Sequence, residues 1–314
     1  MVFFCLLISI ALLAIAADDP RGPRLLERQV ASALNTNRVP SQIRVNVDMT
    51  LVPVTITDEF GRNVNGLERQ NFQIFDDAQQ RPIATFSRQD APVSVGIVLD
   101  RSRSMRDKFE TSRLGVSQLL QQLNDEQDEA FLVTVSSRVV LQQDFTSNLG
   151  DIRSSLPFAR ADGTTALLDG VYFALSHLKK AHNPRRAVVI LSDGGDNNSR
   201  YSLKDVVRVA VESDVLIYMI GIFQNPLSRE EVEGPDLLAN LSKRSGGRNF
   251  VVDAGAVGAA MSTVGSNLHN QYLIGYYRPD DVESGKYRKI KVKVLPPPGL
   301  PRLRVYARAG YYVP

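Results

Sequence analysis

The sequence predicts an α/β protein with a doubly wound, mostly parallel sheet, accompanied by a β-sandwich built from strands near both ends of the chain. Between residues 91 and 270, strand and helix signals alternate, which is typical of a sheet covered by helices on both faces. Residues 43–90 and 271–314 instead carry strand signals without helices. Neither flank has enough strands for a secure core, so we expect the two to form one sandwich, with the central region inserted between them.

The N-terminal residues predict export. Residues 1–17 form an almost unbroken apolar run that is too short for a typical membrane span and suits a secretory signal peptide. A retained N-terminal anchor is the alternative. No Lys or Arg stands near the start, so either the signal is atypical or the true start lies upstream. The only cysteine, Cys5, falls inside this run, and a cysteine-free mature chain tolerates an oxidising compartment. We therefore expect a secreted or periplasmic protein.

The flanking segments follow in order. Residues 18–42 are polar, charged and proline-containing, and we expect a linker. Strands are predicted from the alternating and β-branched residues at 43–47, 51–56, 72–77, 83–86, 272–277, 287–294 and 303–307. In the tail, Lys289, Lys291 and Lys293 alternate with apolar residues, which predicts a solvated face that also discourages pairing at a sheet edge. A polyanion or membrane contact is the alternative for this stripe.

The central region alternates between the two kinds of element. Strands are predicted at 93–100, 130–136, 139–144, 186–192, 214–222 and 248–252, and helices at 105–124, 166–181, 203–212, 235–245 and 256–270. Ser202 is placed to cap the third of these helices. This order indicates a sheet whose strands are joined by crossover helices.

Composition excludes one class of partner. Hydrophobic residues make up 43% and charged residues 23% of 314, which is typical of a folded soluble protein. The net charge is only +3, and no basic cluster is interleaved with aromatic residues. We therefore expect no nucleic-acid binding, and no membrane contact beyond the N-terminal segment.

Polar side chains follow the first central strand. Asp100, Ser102 and Ser104 stand at alternate positions directly after a buried apolar run. In open α/β sheets, ligands bind just beyond the carboxyl ends of the strands. One carboxylate and two hydroxyls can converge there on a small, hard cation, and Mg²⁺ prefers oxygen ligands of this kind. The sequence therefore predicts an oxygen-only metal site at this edge of the sheet.

Two later segments extend the pattern: a loop at residues 162–170 and an apolar strand that ends in Ser192-Asp193-Gly194. In this chain order, the set resembles the metal-ion-dependent adhesion site of von Willebrand factor A (VWA) domains over residues 92–270. The wider segment pattern resembles secreted VWA proteins common in Acidobacteria. The resemblance implies these metal residues: Asp100, Ser102, Ser104, Thr165 and Asp193. The sequence departs from the family pattern at Arg103, where Gly is usual, and at Asp162-Gly163-Thr164, which replaces Gly-Gly.

The resemblance implies a function as well as a fold. A divalent cation, Mg²⁺ or alternatively Mn²⁺ or Ca²⁺, would be completed by an Asp or Glu carboxylate of a protein partner. A structural VWA protein, in which metal only stabilises the fold, shares every one of these sequence features. Asp196 and Asn197 invite a second metal, but turn-favouring residues of this kind predict a tight loop instead.

A magnesium-dependent hydrolase is the third hypothesis. Magnesium phosphatases also use strand-end aspartates, but they need a second carboxylate two residues on, and residue 102 here is serine. The sequence has no H-E-x-x-H zinc motif, no G-x-S-x-G elbow and no phosphate-binding loop. We therefore expect a binding module and not an enzyme.

Overall fold

The fold is described by a computed structural model, which covers residues 49–89, 91–156, 162–223, 229–279, 282–300 and 302–313. The predicted signal peptide, the linker and the strand predicted at 43–47 lie outside the described residues. The strands are β1 (Met49–Thr57), β2 (Phe72–Asp76), β3 (Gln79–Arg81), β4 (Thr85–Gln89), β5 (Val93–Asp100), β6 (Glu129–Val135), β7 (Val139–Thr146), β8 (Arg185–Ser192), β9 (Leu216–Ile222), β10 (Asn249–Val252), β11 (Gln271–Tyr277), β12 (Tyr287–Val294), β13 (Arg304–Ala307) and β14 (Gly310–Tyr312). The α-helices are α1 (Phe109–Leu120), α2 (Leu149–Ser154), α3 (Leu167–His177), α4 (Leu203–Glu212), α5 (Arg229–Ser245) and α6 (Val257–His269).

The central layer is a sheet in the order β10-β9-β8-β5-β6-β7. Neighbouring strands run parallel except for β6 and β7, which are antiparallel. One apolar cluster packs α1, α2 and α6 on one face, and a second packs α3, α4 and α5 on the other. Helices therefore cover both faces of a mostly parallel sheet, and the predicted fold class is confirmed.

Strand β5 lies at the point where the chain order reverses. All eight of its residues are buried, as expected for a strand covered on both faces. It pairs with β6 on one side and β8 on the other, with Leu99 opposite Leu191 in β8. The loops that follow β5 and β8 therefore meet at the carboxyl edge of the sheet, which is where open α/β sheets bind their ligands.

The remaining strands form two antiparallel sheets, β13-β1-β11-β4 and β14-β12-β2-β3. Each sheet combines strands from before residue 90 with strands from after residue 270, as in the pairing of Val52 with Ile274 and of Ile74 with Val292. Apolar side chains from both sheets form a third core cluster. The sandwich predicted from the two flanks is thus present.

Several predicted elements differ from the structure. The helix predicted at 105–124 begins only at Phe109 and ends at Leu120, since Arg103–Met105 form a 3-10 turn. Helix α5 begins at Arg229, not at 235, and contains Pro235. Helix α2 and strand β3 were not predicted; both are short, at six and three residues, and such lengths give little periodicity to detect.

The lysine stripe occupies another position than predicted. Lys289, Lys291 and Lys293 are exposed, as expected for a solvated face. However, β12 pairs with β14 on one side and β2 on the other, so it is an interior strand. The prediction that this stripe protects a sheet edge was therefore wrong, because pairing partners far away in sequence decide which strand is at the edge. No helix among the described residues is long and apolar enough to span a membrane.

A buried carboxylate ties the sandwich together. Asp76 of β2 is fully buried, and its Oδ1 accepts a hydrogen bond from Arg288 Nε at 2.7 Å. Its Oδ2 accepts from the hydroxyls of Tyr276 at 3.1 Å and Tyr311 at 2.9 Å. These partners come from β11, β12 and β14, so one side chain connects both sheets and both flanks of the chain.

Replacing Asp76 with alanine should strongly destabilise the sandwich. Removing one partner of a buried ion pair costs about 3–5 kcal/mol, and Arg288 would keep only its longer contact, at 3.4 Å, with the partly exposed Asp77. We expect Asp76→Ala to lose that much unfolding free energy in urea denaturation, and Asp76→Asn to lose less, because its amide oxygen still accepts a hydrogen bond. Glu283→Gln, at an exposed position, is the control. A loss below about 1 kcal/mol for Asp76→Ala would show that the network contributes little.

The domain boundaries lead to a second prediction. Both central clusters consist of residues between Val93 and Leu268, whereas the sandwich core draws on both flanks. A fragment of residues 92–270 should therefore fold alone and give a dispersed NMR spectrum. A fragment of residues 43–90 should not, since it lacks the partner strands of both sheets. A dispersed spectrum for the shorter fragment would contradict the inserted arrangement.

Candidate metal centre

The loop after β5 is organised by its own first side chain. Asp100 is fully buried, and its Oδ1 accepts a hydrogen bond from the backbone N of Ser102 at 2.8 Å. Aspartate commonly bonds the backbone two residues on in this way, which closes a tight turn. The turn brings the hydroxyls of Ser102 and Ser104 within 3.1 Å of each other. Three of the predicted metal residues therefore share one short loop.

The loop after β8 supplies the second carboxylate. Asp193 is fully buried, and its Oδ1 accepts from the backbone N of Gly195 at 3.4 Å. The preceding Ser192 donates its hydroxyl to Asp100 Oδ2 at 2.6 Å and accepts from the backbone N of Gly194 at 2.9 Å. Ser192 thus joins the two loops. Ser192 was not among the predicted site residues, although it stands beside Asp193 at the same strand end.

Two buried carboxylates at one site are electrostatically unfavourable. Burial, reinforced by the negative charge of Asp193, raises the pKa of the Asp100 carboxyl to about 7. Hydrogen bonds from Ser192 and Ser102 act in the opposite direction but do not restore the ordinary value. Since the ionised form is disfavoured, a cation near both carboxylates would relieve the cost.

A positively charged side chain lies beside one of the two carboxylates. The Lys108 Nζ lies 3.1 Å from Asp193 Oδ2, and the lysine side chain is only 5% exposed. The sequence did not point to Lys108, because in a helix predicted from residue 105 onward it would be an ordinary helical residue. In the structure, Lys108 is the residue just before α1. The positive end of α1 therefore lies at Lys108, four residues beyond Ser104.

The third loop carries Thr165, which is 2% exposed. Its backbone N donates to Asn197 Oδ1 at 2.9 Å, and its carbonyl accepts from the backbone N of Asn197 and of Asn198, each at 3.0 Å. The side chain of Asp196 accepts from Ser199 Oγ at 2.6 Å and from Leu168 N at 3.4 Å. Asn197 and Asp196 thus use these bonds to hold the loops in place, the role that their turn-favouring types indicate.

An open polar cavity of about 410 Å³ lies beside these loops. Ser104 and Thr165 both line it, together with Arg103, Gly163, Thr164 and Asn197. The Arg103 side chain is 74% exposed and pairs with Asp162 at 3.3 Å. Arg103 therefore extends into solvent at the cavity mouth.

Paired glycines place α5 against the Asp193 loop. Gly194 has a φ of +81°, and a Cβ there would lie 2.4 Å from the Cα of Gly234 in α5. A Cβ at Gly234 would lie 2.2 Å from the Asp193 carbonyl oxygen. Only residues without a side chain fit this approach. The backbone that carries Asp193 is thus supported directly by a helix backbone.

The donor set has the chemistry that a hard divalent cation requires. Among the predicted metal residues, two offer buried carboxylates and three offer hydroxyls, all of them oxygen ligands. The pairing of a lysine ammonium with Asp193 shows that the site attracts positive charge. Within the described residues, no group of three or more His, Cys, Asp or Glu side chains is placed to hold a metal. Oxygen ligands in general suit a hard divalent cation such as Mg²⁺ or Mn²⁺ better than a soft metal.

Comparison with known proteins gives the following matches. The chain is 31% identical over 104 residues to an uncharacterised protein of Borreliella burgdorferi, a match that covers 28% of this chain and only 30% of that protein. The structure of proximal thread matrix protein 1 from the mussel byssus is similar at a TM-score of 0.50 and 16% identity, covering 62% of this chain and 51% of that one. A von Willebrand factor type A protein from Catenulispora acidiphila has a TM-score of 0.49 and 11% identity, covering 84% and 74%.

The structural likenesses, at these identities, concern the fold alone. The family model is more specific: the von Willebrand factor type A domain matches residues 94–258, more than half of the chain. That segment runs from β5 through the loops of Thr165 and Asp193 to the start of α6. The chain therefore belongs to the von Willebrand factor type A domain family.

Proposed function

We propose that this chain is a metal-dependent protein-binding module. Asp100, Ser102, Ser104, Thr165 and Asp193 would hold Mg²⁺, or Mn²⁺ or Ca²⁺ in its place, and a partner would contribute an Asp or Glu carboxylate to the ion. The observation that carries the proposal is the pair of fully buried carboxylates beside serine and threonine side chains that line an open cavity. The ion would supply a coordination position that the protein leaves to solvent or to a partner.

Burial explains why the site would bind a cation. Removing a carboxylate from water is costly unless an opposite charge lies close by. Asp100 and Asp193 are both fully buried, and the raised pKa of Asp100 reflects this cost. A divalent ion held by these residues would offset the repulsion between the two carboxylates, and the surrounding low dielectric would strengthen its attraction to each of them.

Access explains why a partner would complete the site. The hydroxyl-bearing residues Ser104 and Thr165 line a cavity that is open to solvent. Mg²⁺ usually keeps some of its waters, and an incoming carboxylate can take the place of one. The exposed cation of Arg103 at the cavity mouth adds to the attraction for an acidic group.

The residue two positions after Asp100 argues against catalysis. A magnesium-dependent phosphatase with a strand-end aspartate needs a second carboxylate there, and Ser102 offers only a hydroxyl. We therefore propose a binding role and no enzymatic activity.

We also propose that the protein works outside the cytoplasm, in secreted or periplasmic form. The apolar run at residues 1–17 and the lack of cysteine in the rest of the chain support this location. The likeness to secreted Acidobacteria-type VWA proteins, which rests on the wider segment pattern, agrees with it.

Metal binding should raise the melting temperature of the full chain. A ligand that binds only the native state, at about 100 times its Kd, adds about 2.7 kcal/mol of stability, or roughly 4 °C for a chain of this size. We expect this rise on moving from EDTA to excess Mg²⁺ or Mn²⁺. Asp100→Ala should abolish it, whereas Asp125→Ala, at an exposed loop position, should keep it. The same rise in Asp100→Ala would place the metal elsewhere, and no rise in the parent chain would contradict metal binding.

Partner binding separates the adhesion hypothesis from the structural one. Peptides selected from a phage-displayed library against the full chain in Mn²⁺, and eluted at low pH, should share an Asp or Glu whose replacement by alanine abolishes binding. They should not bind Asp100→Ala. If metal raises the melting temperature but every selected peptide binds equally well in EDTA, the metal serves the fold and the structural alternative is correct.

A further inference from the structure

We propose that Lys108 is a tethered counter-ion of the candidate metal centre: its ammonium pairs with Asp193, and a divalent cation must compete with it for that carboxylate. The inference rests on the proposed metal site and adds a residue that limits its affinity. It is carried by the 3.1 Å contact between Lys108 Nζ and Asp193 Oδ2, with both side chains buried.

Lysine is an unfavourable residue type at this backbone position. Lys108 occupies the N-cap position of α1, where Ser, Thr, Asp or Asn is favoured, and its side chain makes no capping hydrogen bond. A positive charge at the N-terminus of a helix also opposes the helix dipole. Burial of the ammonium is a third cost. The ion pair with Asp193 offsets these costs.

The backbone holds Lys108 in this position from both sides. Its N donates to the carbonyl of Met105 at 3.0 Å, which closes the turn after Ser104. Its carbonyl accepts from the backbone N and the hydroxyl of Ser112, each at 2.9 Å. The side chain therefore leaves a fixed point between the Ser104 turn and the first turn of α1.

The charge balance gives the lysine two effects of opposite sign. Asp100 and Asp193 together carry a formal charge of −2 when ionised, and Lys108 reduces this to −1. A divalent ion would then leave a net charge of +1, whereas without the lysine it would leave a neutral site. Lys108 therefore weakens binding of the ion but keeps the loaded site positive, which favours an acidic partner.

The test is a Mn²⁺ titration of the full chain by calorimetry, together with melting in EDTA. Lys108→Met keeps an apolar stem but removes the charge. We expect its Kd for Mn²⁺ to fall at least about tenfold, because one unit of opposing charge is gone. Its melting temperature in EDTA should fall by about 5–8 °C, since a buried carboxylate loses its partner. Lys179→Met, at an exposed position at the far end of α3, should change neither value.

The outcomes distinguish this inference from the proposed function. If Mn²⁺ binds the parent chain but binds Lys108→Met no more tightly, Lys108 does not limit the affinity, and the proposed metal site still stands. Binding to Lys108→Met alone supports that role and overturns metal binding by the natural chain. Binding to neither overturns both. If Lys108→Met does not fold, Lys108→Gln, which can still donate a hydrogen bond to Asp193, is judged by the same criterion.

Discussion

The burial of two carboxylates at adjacent strand ends is the constraint on which the rest of the site depends. Asp100 and Asp193 lie at the carboxyl edge of β5 and β8, and both are fully buried. Their repulsion has to be balanced, and the chain does so with a serine hydroxyl, a backbone N–H and a lysine ammonium. A site built in this way favours positive charge.

The same constraint explains what the sequence could predict. Long apolar runs mark β5 and β8, and the resemblance to VWA domains implied that Asp100 and Asp193, which stand at their ends, belong to one site. Ser192 and Lys108 could not be assigned a role in this way. The role of Ser192 depends on β8 lying beside β5, and that of Lys108 on a turn that delays α1 to Phe109. Neither strand order nor such a turn leaves a periodic signal.

The sandwich follows a similar pattern. Alternating residues in the flanks predicted its strands, and the shortage of strands in each flank predicted that they combine. The sequence does not show which strands pair with each other. For this reason β12 was expected at an edge, whereas it lies inside its sheet. The buried Asp76 was also missed, because its three partners lie 200 or more residues away. The site-bearing layer touches this sandwich where Asn63 donates to Ser266 of α6 at 3.0 Å.

The most direct test of the account is a crystal structure of the full chain grown with Mn²⁺, with data collected at the manganese absorption edge. We expect one strong anomalous peak among the side-chain oxygens of the five proposed metal residues: Asp100, Ser102, Ser104, Thr165 and Asp193. A peak elsewhere, or no peak while Lys108 remains paired with Asp193, would contradict the claim that these buried carboxylates form a metal site.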